Sequence, residues 1–120
     1  MSAHRIPGDD AVSLELLASS QAAMHRWLMF QRISHRLLRL APEDEMMRLF
    51  VAYEQEAAHI RYHNNVERLC DRLKIEVETT TEMTPVPTPD GELDLRPYTI
   101  RQLPDVRTFV VDDRPEAPSS

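Results

Sequence analysis

The sequence predicts an all-α protein: a long antiparallel helical hairpin followed by an extended, proline-containing C-terminal tail. Residues 11–40 contain neither glycine nor proline, and their apolar residues recur at helical spacing. Pro42 with the three acids behind it is typical of a helix start. After about residue 77 a threonine run and repeated prolines end the helical pattern.

The first helix is predicted to begin after the turn Pro7-Gly8, because Asp10 can cap its N-terminus. Residues 1–10 before it are predicted to be a flexible N-terminus. We expect the Trp27 ring to be buried on the apolar stripe of this helix. The stripe consists of Leu16, Leu17, Met24, Trp27, Leu28, Phe30, Leu37 and Leu38.

The second helix is predicted from Pro42 to about Lys74, so that the hairpin spans residues 11–77. The short joint favours two antiparallel neighbours, and a single helix kinked at Pro42 is the alternative. The main apolar seam of the second helix is predicted from a 4-3-4-3-4 spacing. Its members are Met46, Phe50, Tyr53, Ala57, Ile60 and Asn64.

A hairpin of roughly 70 residues is near the size limit for an independent core, which predicts a homodimer forming a four-helix bundle. Charge favours pairing of the two helices. Between Leu16 and Pro42 there are four arginines and no acid, whereas residues 43–78 hold nine acids against five basic residues.

The tail, residues 78–120, carries many apolar groups with little pattern. The pieces 98–100 and 109–111 are predicted either to form a short β-hairpin or to lie as two extended strips on another surface. Segments of this kind commonly bind a second protein. The predicted partner-binding residues are Leu95, Tyr98, Ile100, Leu103, Phe109 and Val111.

One histidine–carboxylate cluster has metal-ligand spacing. Glu56, His59 and His63 lie on one row of the second helix, and both Glu-x-x-His and His-x-x-x-His can place two ligands on one ion. A turn near residue 41 would bring His25 and Gln21 to the same level. The ion would be zinc or iron, because imidazole suits these metals. The alternative is a solvated helix face carrying a weak charge pair.

Residues 46–73 resemble the second helix of ferritin-like proteins, including the two-helix encapsulated ferritins, in the run Glu56-Ala57-Ala58-His59. The resemblance implies a four-helix bundle formed by dimerisation and a di-iron site. Such a site also needs a glutamate from the first helix, and the sequence has no acid between Leu16 and Pro42.

The composition argues against several function classes. The net charge of −6 makes nucleic acid an unfavoured partner, although Arg32, Arg36 and Arg39 leave a nucleic-acid-binding regulator as the third hypothesis. The single cysteine, the absence of an apolar leader at residues 1–10 and the lack of a long apolar run predict a cytoplasmic protein with no membrane span. The chain has two glycines and no phosphate-binding loop.

The leading hypothesis from the sequence is a non-enzymatic protein–protein interaction module, which could be an adaptor, an assembly factor or an inhibitor. It would dimerise through the helical hairpin and bind a partner with its C-terminal segment, without a cofactor. The alternative is a ferritin-like metal-binding bundle that uses Glu56, His59, His63 and His25.

Overall fold

The computed structural model describes residues 3–112, which form two helices and four strands. Their order along the chain is β1 (His4–Pro7), α1 (Ala11–Leu40), α2 (Glu45–Leu73), β2 (Glu78–Pro87), β3 (Leu93–Gln102), a 3-10 turn (Val106–Thr108) and β4 (Phe109–Asp112).

The antiparallel helical hairpin is confirmed, with α1 packed along α2. The Asp10 carboxylate caps α1 by accepting a hydrogen bond from the Ser13 N–H. The second helix begins at Glu45 instead of Pro42, because the Asp44 carboxylate accepts from the Met47 N–H at 3.1 Å. Asp44 is therefore the cap, and Pro42 lies in the connecting turn. The helix ends at Leu73, and its C-cap residue, Lys74, has a left-handed φ of 56°.

The face of α2 that meets α1 differs from the predicted seam. The predicted seam, from Met46 to Asn64, points mostly to solvent. Small side chains such as Ala23 and Ala58 let the two helices approach closely. The buried face of α2 consists of Val51, Ala58, Asn65, Val66, Leu69 and Cys70. Two apolar stripes thus run along α2, and only one of them is covered by α1.

The prediction of an all-α four-helix bundle is wrong, because the chain outside the hairpin forms two sheets of two strands each. Residues 78–102 lie in an antiparallel pair, where the β-branched Thr79, Thr80 and Thr81 are well suited to a strand. With the predicted seam of α2 turned away from α1, the two helices do not present the common face that a four-helix bundle needs.

One of the two sheets, β1–β4, closes the open end of the hairpin. Strand β1 pairs in parallel with β4, with His4 opposite Phe109 and Pro7 opposite Asp112. Residues 4–7 are therefore a strand, whereas the sequence predicted a flexible segment. The core that lies here draws on both chain ends and both helices. It consists of Ile6, Leu17, Val66, Leu69, Cys70, Val106 and Phe109.

The second sheet, β2–β3, is a ribbon that runs from the pair Glu78–Gln102 to the pair Pro87–Leu93. Its turn is closed by a 2.8 Å hydrogen bond from the Thr88 N–H to the Glu92 carbonyl, and Gly91 has a φ of +85°. At its root, Arg101 forms ion pairs with Glu67 at 3.0 Å and Asp71 at 3.1 Å on α2. These contacts fix the direction in which the ribbon leaves the helices.

Candidate interaction surfaces

The six predicted partner-binding residues occupy different environments. Leu95 and Tyr98 are exposed on the ribbon, and Ile100 is half-buried near its root. Phe109 is only 7% exposed and belongs to the core, and Leu103 packs against that core. Val111 lies on β4 with an exposed side chain. Phe109 and Leu103 are thus engaged within the chain and are not available to a partner in the folded state.

The ribbon has two faces, and its strand register assigns each residue to one of them. Directly opposite residues of an antiparallel pair share a face, and successive residues alternate between faces. Leu95 pairs with Pro85, whereas Tyr98 pairs with Glu82. Leu95 and Tyr98 therefore point to opposite sides of the ribbon, although both are 61% exposed.

The outer part of one ribbon face is entirely apolar. Three cross-strand pairs, every second pair of the ladder, contribute to it, and all their side chains are exposed. We call it the apolar ribbon face. It consists of Met83, Pro85, Pro87, Leu93, Leu95 and Pro97. The opposite face carries the acids Glu82 and Asp94. The sequence already contained this signal, as apolar residues at every second position on both sides of Asp90-Gly91.

The three prolines of the apolar ribbon face also affect the ribbon's edges. Proline has no N–H, so Pro85, Pro87 and Pro97 fit only where the backbone points away from the paired strand. The Thr88 N–H points across the ribbon to the Glu92 carbonyl. Backbone N–H groups alternate in direction along a strand, so the position of Pro87, one residue earlier, points outward, and so does that of Pro85. The outer edges thus lack three donors, which disfavours addition of another strand. A partner would meet this part of the ribbon by its face.

A second exposed surface follows α2 on the side roughly 140° around the helix from its contact with α1. Met46 is 79% exposed and Tyr53 is 72% exposed, which is unusual for side chains in a heptad-like apolar row. We call this row the outer stripe. It consists of Met46, Phe50, Tyr53, Ala57, Ile60 and Asn64, the same residues that the sequence predicted as the inner seam.

The predicted metal cluster is not assembled. Among residues 3–112, no group of three histidine, cysteine or acidic side chains comes close enough to hold a metal ion. Glu56, His59 and His63 are all exposed, and the His59 ring stacks on the Trp27 indole at 4.6 Å between ring centroids. His25 lies instead beside Arg32 along a groove on α1. The metal-binding interpretation is therefore wrong, because an aromatic ring and not a second ligand faces His59.

An ion pair ties the N-terminal cap of α1 to the end of α2. Arg72 donates to the Asp10 carboxylate at 2.7 Å, and Ser13 Oγ donates to the same carboxylate at 2.6 Å. The hydrogen bond from Arg72 has the larger effect and that from Ser13 the next, and together they hold the pKa of Asp10 well below its usual range. The pKa of the Cys70 thiol is raised, mainly because the side chain is buried in the core. Neither group faces the two exposed surfaces.

None of the helices within residues 3–112 combines the length and hydrophobicity that crossing a bilayer requires. Comparison of the chain with protein-family models, with curated proteins and with solved structures finds no match.

Proposed function

We propose that this chain is a non-enzymatic protein-interaction module that binds a partner protein through the apolar ribbon face. The observation that supports it is that the three alternate cross-strand pairs on one face, Met83–Pro97, Pro85–Leu95 and Pro87–Leu93, are all apolar and all in solvent. An adaptor, an assembly factor and an inhibitor would each use such a surface. The proposal keeps Leu95 from the predicted partner residues and adds its neighbours on the same face.

The energetics of the ribbon support this role. A two-stranded ribbon in water is marginally stable by itself, and this one has few contacts with the rest of the fold beyond its root at Arg101. Covering its apolar face would contribute about 25 cal/mol for each Å² of apolar surface removed from water. Binding would therefore stabilise the ribbon and the complex together.

The register of the ribbon provides a matched pair of variants. Leu95→Glu places a charge on the apolar ribbon face, and Tyr98→Glu places the same charge on the opposite face at equal exposure. Full-length wild-type chain and both variants would be used to capture partners from an extract of the source cells. Circular dichroism melts of the purified chains would show that neither change unfolds the hairpin.

A partner bound by wild type and by Tyr98→Glu, but lost with Leu95→Glu, is the expected result. That partner should then bind the purified wild-type chain in isothermal titration calorimetry. The variant should lose at least about tenfold in affinity, as expected for a charge placed in a buried contact. If wild type and both variants capture the same partners equally well, the proposal is wrong.

A further inference from the structure

We infer that the outer stripe binds a second copy of this chain, with the two α2 helices side by side and antiparallel. The two-fold axis would lie at the level of residue 55. This surface is separate from the apolar ribbon face and does not depend on the function proposed for it. Because α1 packs mainly on the other side of α2, the shared contact involves two helices, not four.

The spacing of the outer stripe is that of a paired helix. In its 4-3-4-3-4 pattern, from Met46 to Asn64, one side chain in every three or four residues points to the same side of the helix, as in a helix that pairs with a second helix. Over these residues the helix is about 27 Å long. Helix α1 covers the residues around Val51 and Ala58 and meets the outer stripe at Phe50, whose ring lies edge-on to that of Phe30 at 6.5 Å between centroids. The other large apolar side chains of the outer stripe, Met46, Tyr53 and Ile60, are exposed.

Side-chain sizes favour an antiparallel arrangement. Pairing about residue 55 sets Met46 against Asn64 and Phe50 against Ile60 of the other copy. It also sets Tyr53 against Ala57, so that each contact joins a larger side chain to a smaller one, which helps a helix interface to close. A parallel pair would instead set Tyr53 against Tyr53 and leave a gap between the two Ala57 side chains.

The ends of the stripe match a partner of equal length. Beyond Asn64, the Arg101 side chain already occupies Glu67 and Asp71, which lie on the continuation of the row. At the other end α2 begins at Glu45, after the connecting turn. The open row is therefore bounded at residues 46 and 64. A second copy paired about its midpoint covers all of it.

Charge also favours the antiparallel direction. In the antiparallel pair, Glu43, Asp44 and Glu45 at the hairpin tip come to the level of residues 65–67 in the other copy, where Glu67 is already paired with Arg101 at 3.0 Å and Arg68 follows. A parallel pair would instead place tip acids against tip acids. Glu54 is already neutralised by Arg26 at 2.8 Å. Glu56 would face Glu56 of the second copy beside the axis, which predicts a small repulsion that a neutral side chain removes.

The first test is the oligomeric state of the full-length chain in sedimentation equilibrium. Wild type should be a dimer at micromolar concentration, and Tyr53→Asp should weaken the dimer by at least about tenfold. Leu38→Asp, on an exposed apolar residue of α1, is the matched control and should leave it unchanged. Glu56→Gln should tighten the dimer by about twofold, since it removes the like-charge contact.

The second test fixes the direction of the pair. Leu40 is exposed at the hairpin tip, level with about residue 45 of α2. A spin label on Leu40→Cys should lie about 40 Å from its counterpart in the antiparallel dimer, from about 30 Å along the helices and about 25–30 Å across them. A separation of about 30 Å or less would indicate a parallel pair and overturn the arrangement. A monomeric wild type, or a dimer that Leu95→Glu dissociates while Tyr53→Asp does not, would overturn the use of the outer stripe.

Discussion

Asn65 on α2 donates a hydrogen bond from Nδ2 to Ser19 Oγ on α1 at 2.8 Å, and the asparagine is buried at the interface. A polar pair at this place resists sliding of one helix along the other, because any shift leaves a buried amide without a partner. Asn65→Ala should lower the free energy of unfolding by about 1–3 kcal/mol, measured by urea denaturation. Gln21→Ala, on an exposed position of α1, should change it by less than about 0.5 kcal/mol.

Phe109 provides a test of whether β4 belongs to the core. Phe109→Ala removes a buried ring that packs with Ile6 and Val106, and should cost about 3–5 kcal/mol in thermal or chemical unfolding. Its neighbour Val110 is exposed, so Val110→Ala should change stability by less than about 0.5 kcal/mol. Similar small effects of both changes would contradict the described packing.

Removing the ribbon should be tolerated far better than removing β4. A chain in which residues 79–101 are replaced by a short glycine-serine linker keeps the core from Ile6 to Phe109 but loses the ion pairs of Arg101. Exposed ion pairs contribute about 0–1 kcal/mol each, so circular dichroism should show the helix content and cooperative melting retained. Loss of cooperative melting would show that the ribbon is needed for the fold.

The contact between Asp10 and Arg72 should make stability depend on acid pH. The pKa of Asp10 is lower in the folded chain than its ordinary value of 3.8, so below that value the unfolded state binds more protons than the folded state. The stabilisation that this contact gives the folded chain is complete above pH 3.8. It is lost as the pH falls toward the pKa that Asp10 has in the folded chain. Melting temperatures between neutral pH and acid should show this fall in wild type and in Asp9→Asn, and a smaller fall in Asp10→Asn.

Trp27 was expected to be buried, but its ring is half-buried and stacked on His59. Trp27→Ala should therefore cost less than the 3–5 kcal/mol of a fully buried ring, about 1–2 kcal/mol. His59→Ala should shift the fluorescence of this single tryptophan to longer wavelength, because it exposes the indole to water. His63→Ala should leave the emission unchanged, since the rings found against Trp27 are His59 and Tyr62.

The hairpin could be predicted because its signals are local. Asp10 before an uninterrupted helical pattern, and Pro42 with acids behind it, mark ends that the structure places within three residues. The orientation of α2 could not be predicted in the same way. Its two apolar rows have comparable spacing, and the choice between them depends on which one α1 covers.

The strands could not be predicted from the sequence, for a different reason. The pairing of β1 with β4 joins residues more than a hundred positions apart, and four-residue strands have almost no local pattern. The ribbon did have a local signal, but its prolines suggested irregular structure because proline is rare within paired strands. Here they occupy positions whose backbone points outward, so Met83, Leu93 and Leu95 were not recognised as members of one face.

The parallel pairing of β1 with β4 also bears on the order in which the chain folds. Bringing His4 to Phe109 closes a loop that contains both helices and the ribbon, and long loops form late because closure costs entropy before it brings any contact. The hairpin, built from contacts across one short turn, can form first. Pulse-labelled hydrogen exchange should therefore find the helix amides protected earlier than those of residues 109–112, leaving a transient species with its apolar base still open to water.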